Sequence, residues 1–228
     1  MAVHLKTATP AMEISDAYFE RLGFTRLERS GVYQTDGSAL IEVDPNRFAR
    51  PGLVVHRETW DGVIDDLAGF GPLHDIDGGR LLAAPSGTWC YLLDGAFEAP
   101  PGFAEAPPSI LGSYAGISLE TTRIADSQRF WELLGFTVSA GGAEQGWVTL
   151  SDETGTAISL VKPLACPHLF VNPSLTYFNG GKNPAIIEEI RRREVPIVEE
   201  VTAFNDRGEV DNVILREPGG IGAFIFND

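Results

Sequence analysis

Cysteine is nearly absent: the chain of 228 residues carries two, Cys90 and Cys166, in unlike surroundings and with no CxxC pattern. That excludes a disulfide framework and a cysteine-built zinc site. Basic residues are scarce as well. Seventeen Lys and Arg stand against 32 Asp and Glu, for a net charge of −15 and an isoelectric point of about 4.6. The one basic cluster, Arg191-Arg192-Arg193, falls on a predicted amphipathic helix and reads as a solvated face. An acidic surface repels phosphate backbones and anionic lipid, so nucleic acid and membrane are excluded as expected partners. No apolar run approaches the ~18 residues of a spanning helix, and the opening Met-Ala-Val-His-Leu-Lys lacks the shape of a signal peptide. The expectation is a soluble, cytoplasmic protein. Nucleophile signatures are missing too. There is no Gly-x-Ser-x-Gly, and Gly141-Gly142 and Gly180-Gly181 lack a phosphate-loop pattern and read as turns.

What the chain does contain is a repeat. Ser15-Asp-Ala-Tyr-Phe-Glu-Arg-Leu-Gly-Phe24 returns as Ser127-Gln-Arg-Phe-Trp-Glu-Leu-Leu-Gly-Phe136, 112 residues on and close to half the chain length. In both copies an aromatic pair (Tyr18-Phe19, Phe130-Trp131) precedes Leu-Gly-Phe by two residues. A repeat of this length implies two similar units with a cavity or an interface between them. With 43% hydrophobic residues the chain can bury a substantial core.

Periodicity divides the chain into four units of one kind. The first has a strand over 3–9, a helix over 13–22 closed by Gly23, and strands near 25–29, 31–35 and 39–43, with Asp36-Gly37 as a hairpin signal. The second has a strand over 53–58, a helix across 61–68, and strands near 80–83 and 88–93. Pro100-Pro101 and Pro107-Pro108 mark residues 95–112 as an aperiodic linker. The third runs from a strand over 114–121 through a helix over 124–134 and Gly135 to strands near 137–140, 146–150 and 157–161. The fourth has strands near 175–178, 213–216 and 223–226 and a helix over 184–193. Glu217-Pro-Gly-Gly220 before its last strand matches Ala84-Pro-Ser-Gly87 in the second. The expected organisation is a half over 1–94, a linker over 95–112 and a half over 113–228. His74, beside Asp75, and His168, after Pro167, read as loop residues.

The helix-ending aromatic-pair-x-x-Leu-Gly-Phe motif in both halves, with the turn-glycine closing strands, resembles the vicinal oxygen chelate superfamily, which includes glyoxalase I, bleomycin-resistance proteins and extradiol dioxygenases. The likeness covers nearly the whole chain outside the linker. It implies an α+β fold of four βαβββ units forming two curved mixed sheets around clefts, in two duplicated halves. It leaves open whether the units pair within a half, across halves or across chains.

In that family metal ligands stand on a unit's first and last strands. Carried over residue by residue, the positions here are His4 and Ile41, Gly52 and Tyr91, Gly116 and Ser159, and Ser174 (or Thr176 in another register) and Phe224. Only His4 fits a divalent metal, so the resemblance implies that the second half holds no metal. In the first half a fallback set is His4, His56 and Tyr91, or Glu42 in place of Tyr91 if the register is shifted by one.

Strand alternation names the cleft instead. His4, His56, Trp89, Tyr91, Ser118, Glu120, Thr176, Phe178 and Phe224 are the expected ligand-binding residues, an aromatic surface with few polar groups suited to a flat organic molecule. The same aromatics also read as ordinary packed core. Three readings stand at this point. The leading one is a metal-free protein that binds a small aromatic or amphipathic molecule. The second is an enzyme: a dioxygenase or lyase with Fe, Mn, Zn or Ni on His4 and His56, or a metal-free isomerase or lyase using Glu120 or His56 as base. The third is a scaffold with a vestigial cleft. A monomer or a homodimer fits all three.

Overall fold

The computed structural model describes residues 1–46 and 48–227. The first half runs β1 (Ala2–Ala8), α1 (Met12–Leu22), β2 (Thr25–Glu28), β3 (Val32–Thr35), β4 (Leu40–Asp44), β5 (Gly52–Arg57), α2 (Ile64–Ala68), β6 (His74–Ile76), β7 (Gly79–Ala83) and β8 (Trp89–Asp94). The second runs β9 (Ser113–Glu120), α3 (Ile124–Leu133), β10 (Thr137–Gly142), β11 (Trp147–Ser151), β12 (Ala157–Val161), β13 (Ser174–Phe178), α4 (Asn183–Arg192), β14 (Ile197–Val201), β15 (Asn212–Arg216) and β16 (Gly222–Phe226).

Each half builds one mixed eight-stranded sheet, ordered β2-β3-β4-β1-β5-β8-β7-β6 and β10-β11-β12-β9-β13-β16-β15-β14. Within a unit the first and last strands run parallel, and the two first strands of a half pair antiparallel. Units therefore join within a half, which settles the pairing inside the chain.

The repeated motif has a plain physical cause. Ser15, Tyr18, Phe19 and Leu22 recur at helical spacing and are buried, as are Ser127, Phe130 and Trp131. Gly23 and Gly135 take the left-handed conformation that ends each helix. The amide of Phe24 then donates to the Phe19 carbonyl at 3.0 Å, and that of Phe136 to the Trp131 carbonyl at 3.1 Å. The same turn lays Phe24 on Phe19 and Phe136 on Trp131, with ring centroids 5.3 and 5.4 Å apart. Ser15 and Ser127 each meet a buried threonine at the end of the preceding strand, Thr9 at 2.7 Å and Thr121 at 3.0 Å.

Four details differ from the sequence expectation. The helix expected over 61–68 starts at Ile64, because Gly62 adopts a positive φ of 76° in the turn before it. His74 opens the short strand β6 and is exposed, where a loop residue is expected. Strand β14 has no counterpart in the expected pattern: a bulge between Ile197 and Glu199 breaks its alternation. Residues 95–112 contain no helix or strand, yet they are not a free tether. Ser109 and Leu111 are buried, and a Cβ on Gly37 would stand 2.6 Å from the Ala106 carbonyl.

The halves share one continuous core. Phe70 meets Phe130 edge-on across the seam at 5.6 Å. Two buried carboxylates also cross it. Asp36 accepts from the Tyr177 hydroxyl at 2.8 Å and from Ser109 at 3.1 Å, while Glu217 accepts from the Thr7 hydroxyl. No helix among the described residues is long and apolar enough to cross a membrane.

Tyr177 is fully buried, so Tyr177→Phe leaves the Asp36 carboxylate short of a donor with no water to replace it. The expected cost is about 1.5–3 kcal/mol, the range for a hydrogen bond to a charged group, measured by urea denaturation. An unchanged midpoint would show that Asp36 does not depend on this donor.

Candidate functional site

The second half carries an open cleft of about 310 Å³ on the face of its sheet. Alternation and register decide what faces it. Ser118 lies opposite Ser159 and Ser174, and Thr176 lies opposite Gly116 and Phe224. Thr176 therefore faces the cleft, as does Phe178 two residues on; Ser174 is fully buried, with its hydroxyl on the Val171 carbonyl. Gly116 sits beside a register shift at φ 129°, where a Cβ would meet the Ala157 carbonyl at 2.6 Å. At that point of the opening strand the backbone leaves no room for a side chain.

Two hydroxyl pairs form the polar part of the lining: Ser118 with Thr176 at 2.7 Å and Thr149 with Ser159 at 2.9 Å. The rest is largely apolar. Phe224 stacks on Phe226 at 5.6 Å, and Phe170 meets Phe224 edge-on at 4.8 Å. Phe178 and Trp147 complete the wall and are each more than two-fifths exposed. Between β12 and β13 the chain bends over this face and contributes Cys166, His168 and Phe170. His168 lies 5.2 Å from both Phe224 and Phe226. Burial, followed by the Glu120 charge, pushes the Cys166 thiol up, so it is not a prepared nucleophile.

The first half brings together a different group. His4 is buried, and its Nε2 faces the Glu42 carboxylate at 3.4 Å while its Nδ1 has no hydrogen-bond partner among the described residues. Lys6, two residues along β1, donates to Glu42 at 2.8 Å and pairs with Asp44 at 2.9 Å. Its ammonium also lies 5.3 Å from the Tyr91 ring. The Tyr91 hydroxyl accepts from the Arg50 amide and donates to the Arg50 carbonyl, both at 2.9 Å. The His4 and His56 rings stack at 5.5 Å, and Phe97 lies 4.7 Å from each.

Burial lowers the His4 pKa despite the Glu42 contact. Burial and the neighbouring His4 bring His56 down to about 4. Burial alone would raise Glu42, but the contacts from His4 and Lys6 outweigh it and hold it at about 2.

These residues do not fit a divalent metal. Such an ion takes three or more converging donors, and no group of three His, Cys, Asp or Glu side chains among the described residues is placed to hold one. Both carboxylates nearest His4 already have the Lys6 ammonium between them. Tyr91, the third fallback ligand, is bound through its hydroxyl to the Arg50 main chain.

Of the residues expected at a ligand cleft, Ser118, Thr176, Phe178 and Phe224 meet in the second half, and His4 and His56 meet in the first with Tyr91 nearby. Trp89 and Glu120 stand apart from both groups. Trp89 opens β8, where its carbonyl packs so close to Gly52 that a Cβ there would clash. Glu120 ends β9 outside the cleft lining, and its carbonyl accepts from Asn172 at 3.1 Å. Sequence reasoning missed Phe97, Trp147, Cys166, His168 and Phe170 as lining residues. Trp147 shares the alternation of Thr149 and was open to that argument; the other four lie on irregular segments that carry no period.

No protein-family model and no curated protein matches the sequence. The folded chain is similar to solved structures. Among them is catechol 2,3-dioxygenase, at 12% identity and TM-score 0.54, with 97% of this chain and 86% of that chain covered. The 2,3-dioxygenase LapB from Pseudomonas sp. KL28 gives 17%, 0.53, 99% and 91% in the same order. The Mn(II)-bound glyoxalase from Novosphingobium aromaticivorans gives 13%, 0.51, 97% and 79%. At these identities the likeness is one of fold. The chain shares the duplicated fold of these dioxygenases and this glyoxalase over nearly its whole length.

The first-half cluster sets an acid limit on stability. His56, at about 4 against an ordinary 6.5, is protonated more readily in the unfolded chain. Its stabilising contribution is complete above pH 6.5 and is lost as pH falls toward 4; Glu42, at about 2 against 4.5, extends the loss below pH 4.5. His56→Gln should shrink the upper part of this acid limb and leave the lower part, as read by urea midpoints from neutral pH downward. An unchanged upper limb would assign it elsewhere.

Proposed function

We propose that the chain binds a small, flat, largely apolar organic molecule in the second-half cleft, without a metal. One observation carries this reading: the second-half positions where the fold family places ligands hold Gly116, Ser159, Thr176 and Phe224, and these line a cleft of about 310 Å³ walled by aromatic rings. That volume lies at the lower end of small-molecule sites, about 300–1,000 Å³. Aromatic faces offer stacking and edge contacts to a planar guest. The two hydroxyl pairs offer neutral donors and acceptors that fix its orientation.

The names of the structural neighbours point to oxygenase or lyase chemistry on a metal. Here the neutral hydroxyls of the second half and the lysine-bridged carboxylates of the first half weigh against that reading. Glu120 stands outside the cleft, and no paired acid and base faces the cavity.

Titration with a planar phenol such as 2-naphthol tests the proposal. Trp147 stands at the cleft wall and should report binding by a change in fluorescence that Trp147→Phe removes. Phe224→Ala should weaken binding tenfold or more, Thr176→Val several-fold, and a chelator should change nothing. Near-stoichiometric metal in the purified protein, lost in both His4→Ala and His56→Ala, would overturn the metal-free reading.

A further inference from the structure

The first-half cleft is not empty of rings. Three open clefts, of about 380, 330 and 390 Å³, surround the His4–His56 pair, and Phe97 lines all three. Phe97 is the residue that divides them. It belongs to neither sheet: it projects from the irregular segment that follows β8 and lays its ring against both imidazoles at 4.7 Å, with interplanar angles of 29° and 31°. Tyr33 closes the cluster at 6.3 Å.

Phe97 is held there by few contacts. Gly95, at φ 95°, starts the segment and donates to the Arg57 carbonyl at 2.9 Å. Beyond Phe97 the segment is tethered by Arg29, which reaches the Glu98 carboxylate and the carbonyls of Glu98 and Ala99 at 3.1 and 3.3 Å. Every one of these Arg29 contacts is exposed to solvent, where such interactions hold weakly. By contrast, what lies beneath the ring is fixed in the sheet: His4 is buried on β1, with a buried Nδ1 that has no hydrogen-bond partner among the described residues. A buried polar atom without a partner is uncommon in a finished core.

We propose that the first-half cleft is a second site for an uncharged aromatic ring, and that Phe97 occupies it as an intramolecular competitor on a releasable strap. Beside the two imidazoles the Lys6 charge is taken up by Glu42 and Asp44, so Lys6 itself is not free to pair with an acid. Both imidazoles are held toward their neutral forms, which suits a neutral guest. The inference does not rest on the second-half reading.

The four histidines let one experiment separate the two sites. His4 and His56 report on the first, His168 on the second, and His74, exposed on β6, is the control. Imidazole NMR signals are followed while 2-naphthol is added to the wild-type chain, Phe97→Ala and Arg29→Ala. In Phe97→Ala, His4 and His56 should respond with an affinity at least tenfold above the wild type. Arg29→Ala frees the strap and opens no void, so it should fall between the two. It also keeps the test alive if Phe97→Ala fails to fold. Silence of His4 and His56 in a folded Phe97→Ala, or no gain over wild type in Arg29→Ala, would overturn the proposal. Silence of His168 alone would count against the second-half site and leave this one standing.

Discussion

The two halves are held in one orientation by a pair of reciprocal buried carboxylates. Asp36 leaves the β3–β4 turn of the first half and takes a proton donor from Tyr177 of the second; Glu217 leaves the β15–β16 turn of the second half and takes one from Thr7 of the first. Taking a carboxylate out of water costs several kcal/mol, and only a near-complete set of donors offsets it. Both sites supply one. Asp36 also accepts from the Ser38 and Ala39 amides, and Glu217 from those of Gly219 and Ile221. A rotation of one half against the other would strand both groups, so the seam resists sliding in a way that an apolar contact alone does not. Burial nonetheless pushes the Glu217 pKa up, which marks how dry that side of the seam is.

This constraint also explains why the segment between the halves is not a spacer. Ser109 donates to the same Asp36, and Ile110 donates to the Leu22 carbonyl at the end of α1. The last part of the connection is therefore anchored to the seam, while its first part, around Phe97, runs along the open face of the first sheet. One chain segment thus serves two tasks, and the division between them falls where buried residues give way to exposed ones.

Much of the fold was legible because its signals are local. The Leu-Gly-Phe ending shows in sequence since a left-handed glycine and two aromatic rings that meet across it, tilted or edge-on, leave few alternatives. Alternation was enough to bring Ser118, Thr176, Phe178 and Phe224 to one face, because β13 pairs with β16 without a break and the register shift against β9 does not reach Ser118. It failed where the backbone is irregular. The bulge in β14 hid a strand, and Phe97, His168 and Phe170 reach their clefts from segments with no period. Pairing Glu42 with Lys6 depends on register: His4 and Lys6 are both on the cleft face of β1, and β4 sets Glu42 directly opposite Lys6. A shift of one residue would have brought Ile41 there instead.

The duplicated halves have diverged in what they do with the same face. In the first, charged and imidazole groups are knit together by a lysine and covered by a phenyl ring of the chain itself. In the second, hydroxyls pair with each other beneath rings that leave a cavity. In both halves the middle of the sheet presents groups that are neutral or paired within the chain. A hydroxyl pair such as Ser118 with Thr176 is neutral, internally satisfied and tolerant of an apolar neighbour. Under the binding reading proposed above, that combination would favour guests recognised by shape and stacking, with specificity carried by the rings and by the loop that bears His168 and Phe170.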